Sequence, residues 1–152
     1  MHIVLVEPEI PGNTGNIARL CAATGFELHL VRPLGFSIED RYLKRAGLDY
    51  WHLVTVHCHD SFPELAEQYA GHAFYFNTTK AQKKYTDISF SQDDFLVFGK
   101  ETAGLPEDLL AANETHCIRV PMLEDARSLN LSNAVAVVAY EALRQMNFLS
   151  LR

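Results

Sequence analysis

Short apolar runs alternate along the chain with longer stretches in which apolar residues recur every three or four positions. The runs have the length and composition of strands, at residues 2–6, 28–31, 52–57, 73–77, 95–98 and 117–120. The longer stretches predict helices at residues 13–23, 41–46, 62–69, 106–112 and 131–146. Because strands and helices alternate, we predict an α/β fold, a mostly parallel sheet with helices on both faces.

Several predicted helix boundaries carry their own sequence signals. Gly25 and Gly47 follow the first two helices, where glycine favours the left-handed conformation that ends a helix. Ser37 and Asp40 form a variant capping box before the second helix, and Pro106 stands at the start of the fourth. These signals support the predicted order of elements.

The last predicted helix is apolar on all sides between Ala134 and Tyr140. A helix on the surface of a monomer would show a polar face. Either this helix lies at the centre of the core, or its own sheet covers one side and a partner subunit covers the other. We favour the partner subunit, because a helix at the end of a small domain seldom has core on all sides.

Length and composition are those of an ordinary globular domain. The 152 residues, 48% hydrophobic and 21% charged, suit one domain spanning residues 1–152. The amino terminus has no basic segment and reaches Glu7 too early for a signal peptide, and no apolar stretch approaches membrane-spanning length. Three cysteines without a Cys-x-x-Cys pair are typical of a reducing compartment. We therefore expect a cytoplasmic protein in which Cys21 and Cys117 are buried core thiols.

The charge of the chain limits how it can meet nucleic acid. A net charge of −6 argues against non-specific coating, since such binding depends on neutralising phosphates. A local basic patch is still compatible with that charge. The polar stretch at residues 78–94 holds Lys80, Lys83 and Lys84, and an irregular segment of this length is often functional.

A first polar cluster, residues 8–19, lies between a predicted strand and a predicted helix, as a phosphate-binding loop does. It has neither a Gly-x-Gly-x-x-Gly pattern nor a Walker lysine. Asn13, Asn16 and Arg19 are three positions apart, so we expect them on one helix face, where the guanidinium of Arg19 can bind a phosphate. The alternative is a capped helix with a surface arginine.

Two further clusters, residues 98–106 and 128–133, also stand ahead of predicted helices. In the second cluster Gly99 and Gly104 let the backbone approach a ligand and Glu101 offers a carboxylate, although a plain turn would look the same. The third, with Ser128 and Asn130, has more capping side chains than one helix start requires. Because ligands bind at the carboxyl edge of open α/β sheets, we expect the three loops to converge there on a polar ligand.

Other chemistries have weak support. His57 and His59 would share one strand face, but with His52 they lack a carboxylate or an inward cysteine at ligand spacing, so no metal site is predicted. Hydrolysis by a serine triad is disfavoured because the chain has no Gly-x-Ser-x-Gly elbow.

The three clusters together resemble the motifs of the SPOUT RNA 2′-O-methyltransferases. The matching segments are residues 13–19, residues 98–106, and residues 118–122 with 128–134. The resemblance is nearest to the minimal TrmL (YibK) type and covers nearly the whole chain. It implies a C-terminal trefoil knot, an obligate homodimer, and methyl transfer from S-adenosylmethionine to the ribose 2′-oxygen of the wobble nucleotide of tRNA. Leucine tRNAs, with cytidine or a modified uridine at that position, are the implied substrates, and no metal is needed.

The same resemblance implies roles for individual residues. The cofactor, which leaves as S-adenosylhomocysteine, would lie among Asn77, Thr78, Gly99, Glu101, Gly104, Val120, Met122, Ser128 and Leu129. The catalytic candidates are Arg19, Asn130 and Ser128. The tRNA anticodon stem-loop would contact Asn13, Asn16, Arg19, Arg41, Lys44, Arg45, Lys83 and Lys84. We expect Arg19 to act electrostatically, because a guanidinium stays protonated in proteins and is a poor base.

Three alternatives stay open. The same chemistry could act on another tRNA position or on rRNA, since the motifs define cofactor and reaction better than target. The chain could also be a non-catalytic nucleotide-binding module, although the presence of both Arg19 and residues 128–130 speaks against that. A flavodoxin-like domain with a phosphate site at residues 13–16 is the third alternative.

Overall fold

Seven parallel strands form one sheet in the computed structural model, which describes residues 1–38, 48–149 and 151–152, with the backbone alone for residues 48–50. The strands are β1 (His2–Val6), β2 (Glu27–Val31), β3 (Val56–His59), β4 (Phe74–Asn77), β5 (Lys83–Lys84), β6 (Phe95–Phe98) and β7 (Cys117–Arg119). Their order across the sheet is β3-β2-β1-β6-β4-β7-β5. The predicted α/β class with a parallel sheet is confirmed for this part of the chain.

The described residues also form four α-helices and three short 3₁₀ helices. The α-helices are α1 (Pro11–Thr24), α2 (Phe62–Gln68), α3 (Glu107–Ala112) and α4 (Leu131–Gln145), and the 3₁₀ helices are Leu48–Leu53, Tyr85–Asp87 and Glu114–His116. Gly25 ends α1 with a φ of 73°, as its position predicts. Ser61 begins α2, where its side chain accepts a hydrogen bond from the Glu64 N–H. No helix in the described ranges is long and apolar enough to cross a membrane.

Helices cover both faces of the sheet, as predicted. Alternate residues of a strand point to opposite faces, so Ile3 and Leu5 of β1 pack in one core and Val4 and Val6 in the other. The first core also contains residues of α1 and α4, and residues of α2 and α3 pack in the second. The sheet is therefore the central layer, and its edges are where polar side chains collect.

One predicted strand is wrong in its first half. Residues 52–57 were expected to be extended, but Leu48–Leu53 is a 3₁₀ helix and β3 begins only at Val56. Trp51 and Val54 pack against the core that contains α1, so these positions are apolar without being extended. The irregular stretch at residues 78–94 contains β5 and a 3₁₀ turn. The predicted helix at residues 41–46, with Asp40 and Gly47, lies outside the described residues.

The final helix buries one side and exposes the other. Val135, Val138 and Leu143 of α4 are fully buried against the sheet. On the other side Val137 is 38% exposed and Tyr140 is 47% exposed. The alternative of a helix surrounded by core is therefore wrong for the described chain. An apolar outer face is what the partner-subunit interpretation requires.

The cysteines lie where their neighbours in the sequence predict. Cys21 and Cys117 are buried, and Cys58 is exposed. Burial raises the pKa of the Cys21 thiol to about 12, so this side chain stays neutral. Both buried thiols act as small apolar side chains in the core.

Several histidines share one face of the sheet, from His2 at the start of β1 to His59 at the end of β3. His29 of β2 is fully buried, and burial is the main reason that its pKa falls to about 3. His57 and His59 share one face of β3, because their rings contact Glu27 and His29, which are themselves two positions apart. His52 lies outside the strand and is exposed. The three histidines considered as metal ligands, His52, His57 and His59, therefore do not form one site.

Candidate active site

Three loops meet at the carboxyl edge of the sheet, and Glu101 joins two of them. Its carboxylate accepts hydrogen bonds from the N–H groups of Glu9 (2.8 Å) and Ile10 (3.2 Å) and from the Asn13 side-chain amide (3.0 Å). Glu9 and Ile10 follow β1, whereas Glu101 follows β6, the strand that pairs with β1. The carboxylate therefore fixes the start of α1 against the loop after β6.

Asn130 ties the third loop to the same point. Its amide nitrogen donates to the side-chain oxygen of Asn13 at 3.0 Å. Its own side-chain oxygen accepts from the Ser132 N–H (3.0 Å) and the Asn133 N–H (3.4 Å), which caps α4. The predicted convergence of the three loops is confirmed by this chain of contacts from Glu101 through Asn13 to Asn130.

A second set of contacts between the first two loops was not predicted. Thr102 donates to Glu9 from its backbone N–H (3.1 Å) and its hydroxyl (2.8 Å to one oxygen), and these bonds lower the pKa of the Glu9 carboxyl. Lys100 lies 2.8 Å from the Glu7 carboxylate, which raises the pKa of the lysine. Glu7, Glu9 and Thr102 stand in no sequence pattern that would predict these contacts. Only the pairing of β1 with β6 brings them together.

A cavity of about 630 Å³ opens between these loops. All nine residues that the resemblance assigns to the cofactor line it, and so do Asn13 and Asn130. Ile10, Phe98 and Leu110 add apolar surface that the sequence alone did not identify. A concave site with mixed apolar walls and a few convergent polar groups is typical of small-molecule binding.

The loop after β6 forms one wall of the cavity, and its backbone packs so closely at Gly99 that no side chain fits there. A Cβ on Gly99 would lie 2.1 Å from the backbone carbon of Gly104. Gly104 itself has a φ of 71° and donates its N–H to the Lys100 carbonyl at 2.8 Å. Both glycines are therefore required by the geometry, and they leave backbone surface open to the cavity.

One buried polar atom of a residue that lines the cavity lacks a protein partner. Within the described ranges, the side-chain oxygens Oδ1 of Asn77 and Oγ1 of Thr14 are buried without a hydrogen bond. The Asn77 amide nitrogen lies 3.5 Å from the Val97 carbonyl, which orients the side chain. Because buried polar atoms are normally satisfied, Asn77 Oδ1 is a fitting acceptor for a donor on a bound ligand.

Comparison with known proteins identifies the chain. Residues 1–140 match the SpoU rRNA Methylase family. The chain belongs to this family. It is 48% identical over 149 residues to the tRNA (cytidine(34)-2'-O)-methyltransferase of Escherichia coli strain K12, covering 97% of this chain and 95% of that protein. A protein of the same name from Methylovorus glucosotrophus is 50% identical over 147 residues, covering 96% of each.

Solved structures agree with the family assignment. A structure from work on the 2-OH methylation of C/U34 on tRNA has a TM-score of 0.92 and 46% identity, covering 96% of this chain and 95% of that one. The SpoU methyltransferase AviRb from Streptomyces viridochromogenes, in complex with the cofactor AdoMet, has a TM-score of 0.82 and 26% identity. That comparison covers 100% of this chain and 59% of AviRb.

Arg19 of this SpoU-family chain lies apart from the cavity. Asn13 is buried at the cavity, whereas Asn16 and Arg19 are exposed on α1 and do not line it. The expectation that the three share one face is therefore wrong for Asn13. Steps of three residues drift by roughly 60° each around a helix of about 3.6 residues per turn, so two steps carry Arg19 well away from Asn13.

The basic residues occupy different places. Lys83 and Lys84 form β5 at the edge of the sheet and are exposed, with the Lys83 ammonium donating to the Thr115 carbonyl at 2.8 Å. Lys80 lines the cavity and pairs with Glu107 at 2.7 Å. The remaining candidates, Arg41, Lys44 and Arg45, lie outside the described residues.

Proposed function

We propose that this protein methylates the ribose 2′-oxygen of the wobble nucleotide of tRNA, with S-adenosylmethionine as the methyl donor. The observation that carries the proposal is the convergence of all nine expected cofactor residues on one cavity. Relatives that share about half of its residues are named for cytidine 34 and the 2′-oxygen of tRNA, which supports the target. Leucine isoacceptors are the tRNAs to test first.

The cavity fits the chemistry of S-adenosylmethionine. Asn77 Oδ1 can accept from the amino group of adenine, and Met122 and Leu129 offer apolar surface to the faces of the base. The tight packing of Gly99 on Gly104 leaves backbone groups available to the rest of the ligand. Bound there, the cofactor supplies a methyl group on a positively charged sulfur. Loops that exclude water favour such a transfer, because charge disappears from the donor as the reaction proceeds.

Residues at the start of α4 hold the reacting partners in place. Asn130 is fixed by Asn13 and by the cap of α4, and Ser128 lines the cavity two residues earlier. Both can orient a ribose or the cofactor by hydrogen bonds. We assign them positioning roles, since an amide is not a base and, among the described residues, no histidine or carboxylate bonds to the Ser128 hydroxyl.

Arg19 has an electrostatic role in this proposal. Arg19 is an exposed residue of α1, and an arginine side chain can bind an RNA phosphate through charge-assisted hydrogen bonds. A positive charge held beside the target nucleotide stabilises the 2′-oxygen as the methyl group passes to it from the sulfonium and the hydroxyl proton passes to solvent. Loss of a positioned donor of this kind typically costs about 10²- to 10³-fold in rate.

The functional unit in this proposal is a homodimer. The exposed apolar face of α4, with Val137 and Tyr140, supports packing against a second copy. α1 and α4 cover the same face of the sheet, so a subunit docked on α4 also lies close to α1. Such an arrangement would place Arg19 at a junction between two chains, which offers a reason why it lies outside the cavity of its own chain.

The strand order supports the knot that the resemblance implies. β7 lies between β4 and β5, although β4 and β5 precede it in the chain and are separated by only the short segment at residues 78–82. The chain therefore forms the neighbour of β7 on one side with β4 and its neighbour on the other side with β5, before β7 itself is reached. Thr78 donates its N–H to the Ile118 carbonyl at 2.9 Å, so this segment packs directly on β7.

Transfer of labelled methyl groups tests the function. Purified protein is incubated with radiolabelled S-adenosylmethionine and tRNA from a strain that lacks the gene, and the nucleosides of the product are mapped. We expect label in the 2′-O-methylated nucleotide at the wobble position. Label at another tRNA position would contradict the target and keep the chemistry. No label despite cofactor binding would support a non-catalytic module.

A further inference from the structure

The amino edge of the sheet, opposite the cavity, holds a second group of ligand-type side chains. His2 begins β1 and Glu27 begins β2, and the two residues pair across the parallel ladder. His29 lies two residues further along β2, on the same face as Glu27. Nothing in the proposed methyl transfer uses these three residues.

Their donor atoms converge. Nδ1 of His2 lies 3.1 Å from Nε2 of His29 and 3.9 Å from a carboxylate oxygen of Glu27. One ligand atom from each of the three residues lies within 4.8 Å of the other two. Donor atoms around a tetrahedral zinc ion lie at about 2.0–2.2 Å from the metal and therefore roughly 3.3 Å from each other. The distances from His2 Nδ1 to His29 and to Glu27, 3.1 Å and 3.9 Å, lie on either side of this value.

We propose that His2, Glu27 and His29 bind a divalent transition-metal ion of the zinc class. Two imidazole nitrogens and one carboxylate oxygen are a ligand set that zinc accepts in proteins. Solvent completes the coordination. The ion holds the beginnings of β1 and β2 together, so it stabilises the fold at the edge remote from the active site.

Neighbouring residues already orient the ligands as they do around bound metals. The second ring nitrogen of His29, Nδ1, lies 3.0 Å from Nε2 of His59. Glu27 has a carboxylate oxygen 2.7 Å from Nε2 of His57. Metal-binding histidines and carboxylates commonly have a hydrogen-bonded neighbour of this kind, which fixes the ring or carboxylate direction.

The surroundings combine a closed side with an open side. The Phe95 ring stacks on the His2 ring, with centroids 4.1 Å apart and planes within 7°. His29 is fully buried, whereas the Glu27 side chain is 40% exposed. The Phe95 ring therefore shields the site from solvent at His2. The partly exposed Glu27 side chain leaves a route by which an ion can enter from solvent.

Zinc binding to the full-length protein, without a histidine tag and after chelator treatment, tests the site by calorimetry. We expect one saturable Zn²⁺ site per chain and a higher melting temperature with zinc. His2→Gln and Glu27→Gln each weaken binding by at least about 100-fold, because losing a supporting neighbour alone typically costs about 10- to 100-fold. His116→Gln, at an exposed histidine outside the cluster, leaves binding unchanged.

The proposal is overturned if the wild-type protein shows no saturable site, or if it and Glu27→Gln bind Zn²⁺ equally well. Melting curves in chelator establish that the variants fold. Should a variant fail to fold, Co²⁺ bound to the wild-type protein decides the matter. Intense visible bands of four- or five-coordinate Co²⁺ support the site, and a spectrum identical to Co²⁺ in buffer overturns it.

Discussion

The two edges of the same sheet use polar side chains in different ways. At the carboxyl edge Glu101, Asn13 and Asn130 bond to each other across loops and leave a cavity beside them. At the amino edge His2 and His29 come from the strands themselves and pack ring against ring. Loops can vary in length and approach, so they build a site for a large ligand. Strands hold side chains at fixed spacing, which suits a small ligand such as a metal ion.

The largest expected effect on cofactor binding comes from adding a side chain at Gly99, in the wall of the cavity. Gly99→Ala places a Cβ 2.1 Å from the backbone of Gly104, so the loop after β6 must move. We expect loss of detectable S-adenosylmethionine binding by calorimetry. The matched control is Gly12→Ala, where a Cβ meets nothing within 4 Å and a helix gains a better former. Equal affinity in both variants would contradict the assignment of the cavity.

Arg19→Ala separates catalysis from cofactor binding. Because Arg19 is exposed outside the cavity, its loss should lower turnover by about 10²- to 10³-fold and leave S-adenosylmethionine affinity unchanged. Single-turnover assays and calorimetry measure the two quantities. The control is Arg32→Ala, which removes another exposed arginine, one that pairs with Asp60. This variant should change neither turnover nor S-adenosylmethionine affinity. Parallel loss of turnover and affinity in Arg19→Ala would contradict the electrostatic role.

Glu101→Gln tests whether one carboxylate holds the loops together. Its oxygens accept from two backbone N–H groups and from Asn13, and bonds to a charged group are worth about 1.5–3 kcal/mol each. We expect the free energy of unfolding to fall by about 2 kcal/mol, since the amide keeps only part of this set. Urea denaturation measures the change. Glu67→Gln, at an exposed position of α2, is the control, and an equal loss there would refute the claim.

Lys83 and Lys84 test the route of the RNA. If both contact phosphates, replacing them with glutamine should reduce the slope of log affinity against log salt by about one unit per lost contact. Filter binding of tRNA at several salt concentrations measures the slope. A slope equal to that of the wild-type protein would leave these lysines as solubilising residues at the sheet edge.

The smallest expected effect concerns pH and α4. Hydrogen bonds from Arg144, and then from Gln145, lower the pKa of Glu141 to about 2. Since the folded state favours the carboxylate, this stabilisation is present above pH 4.5, the ordinary pKa, and is lost as pH falls towards 2. Glu141→Gln should lower stability at pH 7 by about 0.2–0.5 kcal/mol, as for a helical ion pair. A difference of the same size at pH 2 would contradict this origin.

Much of the carboxyl edge could be predicted from the sequence, because each loop has its own cluster of glycines, amides and caps. Gly99, Ser128 and Asn130 stand in such clusters. The contacts of Glu9 with Thr102 could not be predicted, since they depend on the pairing of β1 with β6. Register also explains the amino edge, where His2 and Glu27 are far apart in the chain and are brought together by one ladder.

Helix geometry and apolar packing account for the remaining errors. Arg19 was expected beside Asn13 on the basis of three-residue spacing, but the drift of an α-helix separates them. Leu53 and Val54 suggested a strand, because an apolar run does not distinguish a strand from a 3₁₀ turn. In both cases the spacing along the chain did not determine the direction in which the side chains point.

A crystal structure with S-adenosylhomocysteine tests the central claim most directly. We expect the ligand in the cavity between the loop after β6 and the segment that leads into α4, in contact with Asn77, Gly99 and Met122. The adenine amino group should lie within hydrogen-bond distance of Asn77 Oδ1. A ligand bound elsewhere at saturating concentration, with this cavity unchanged, would contradict the account.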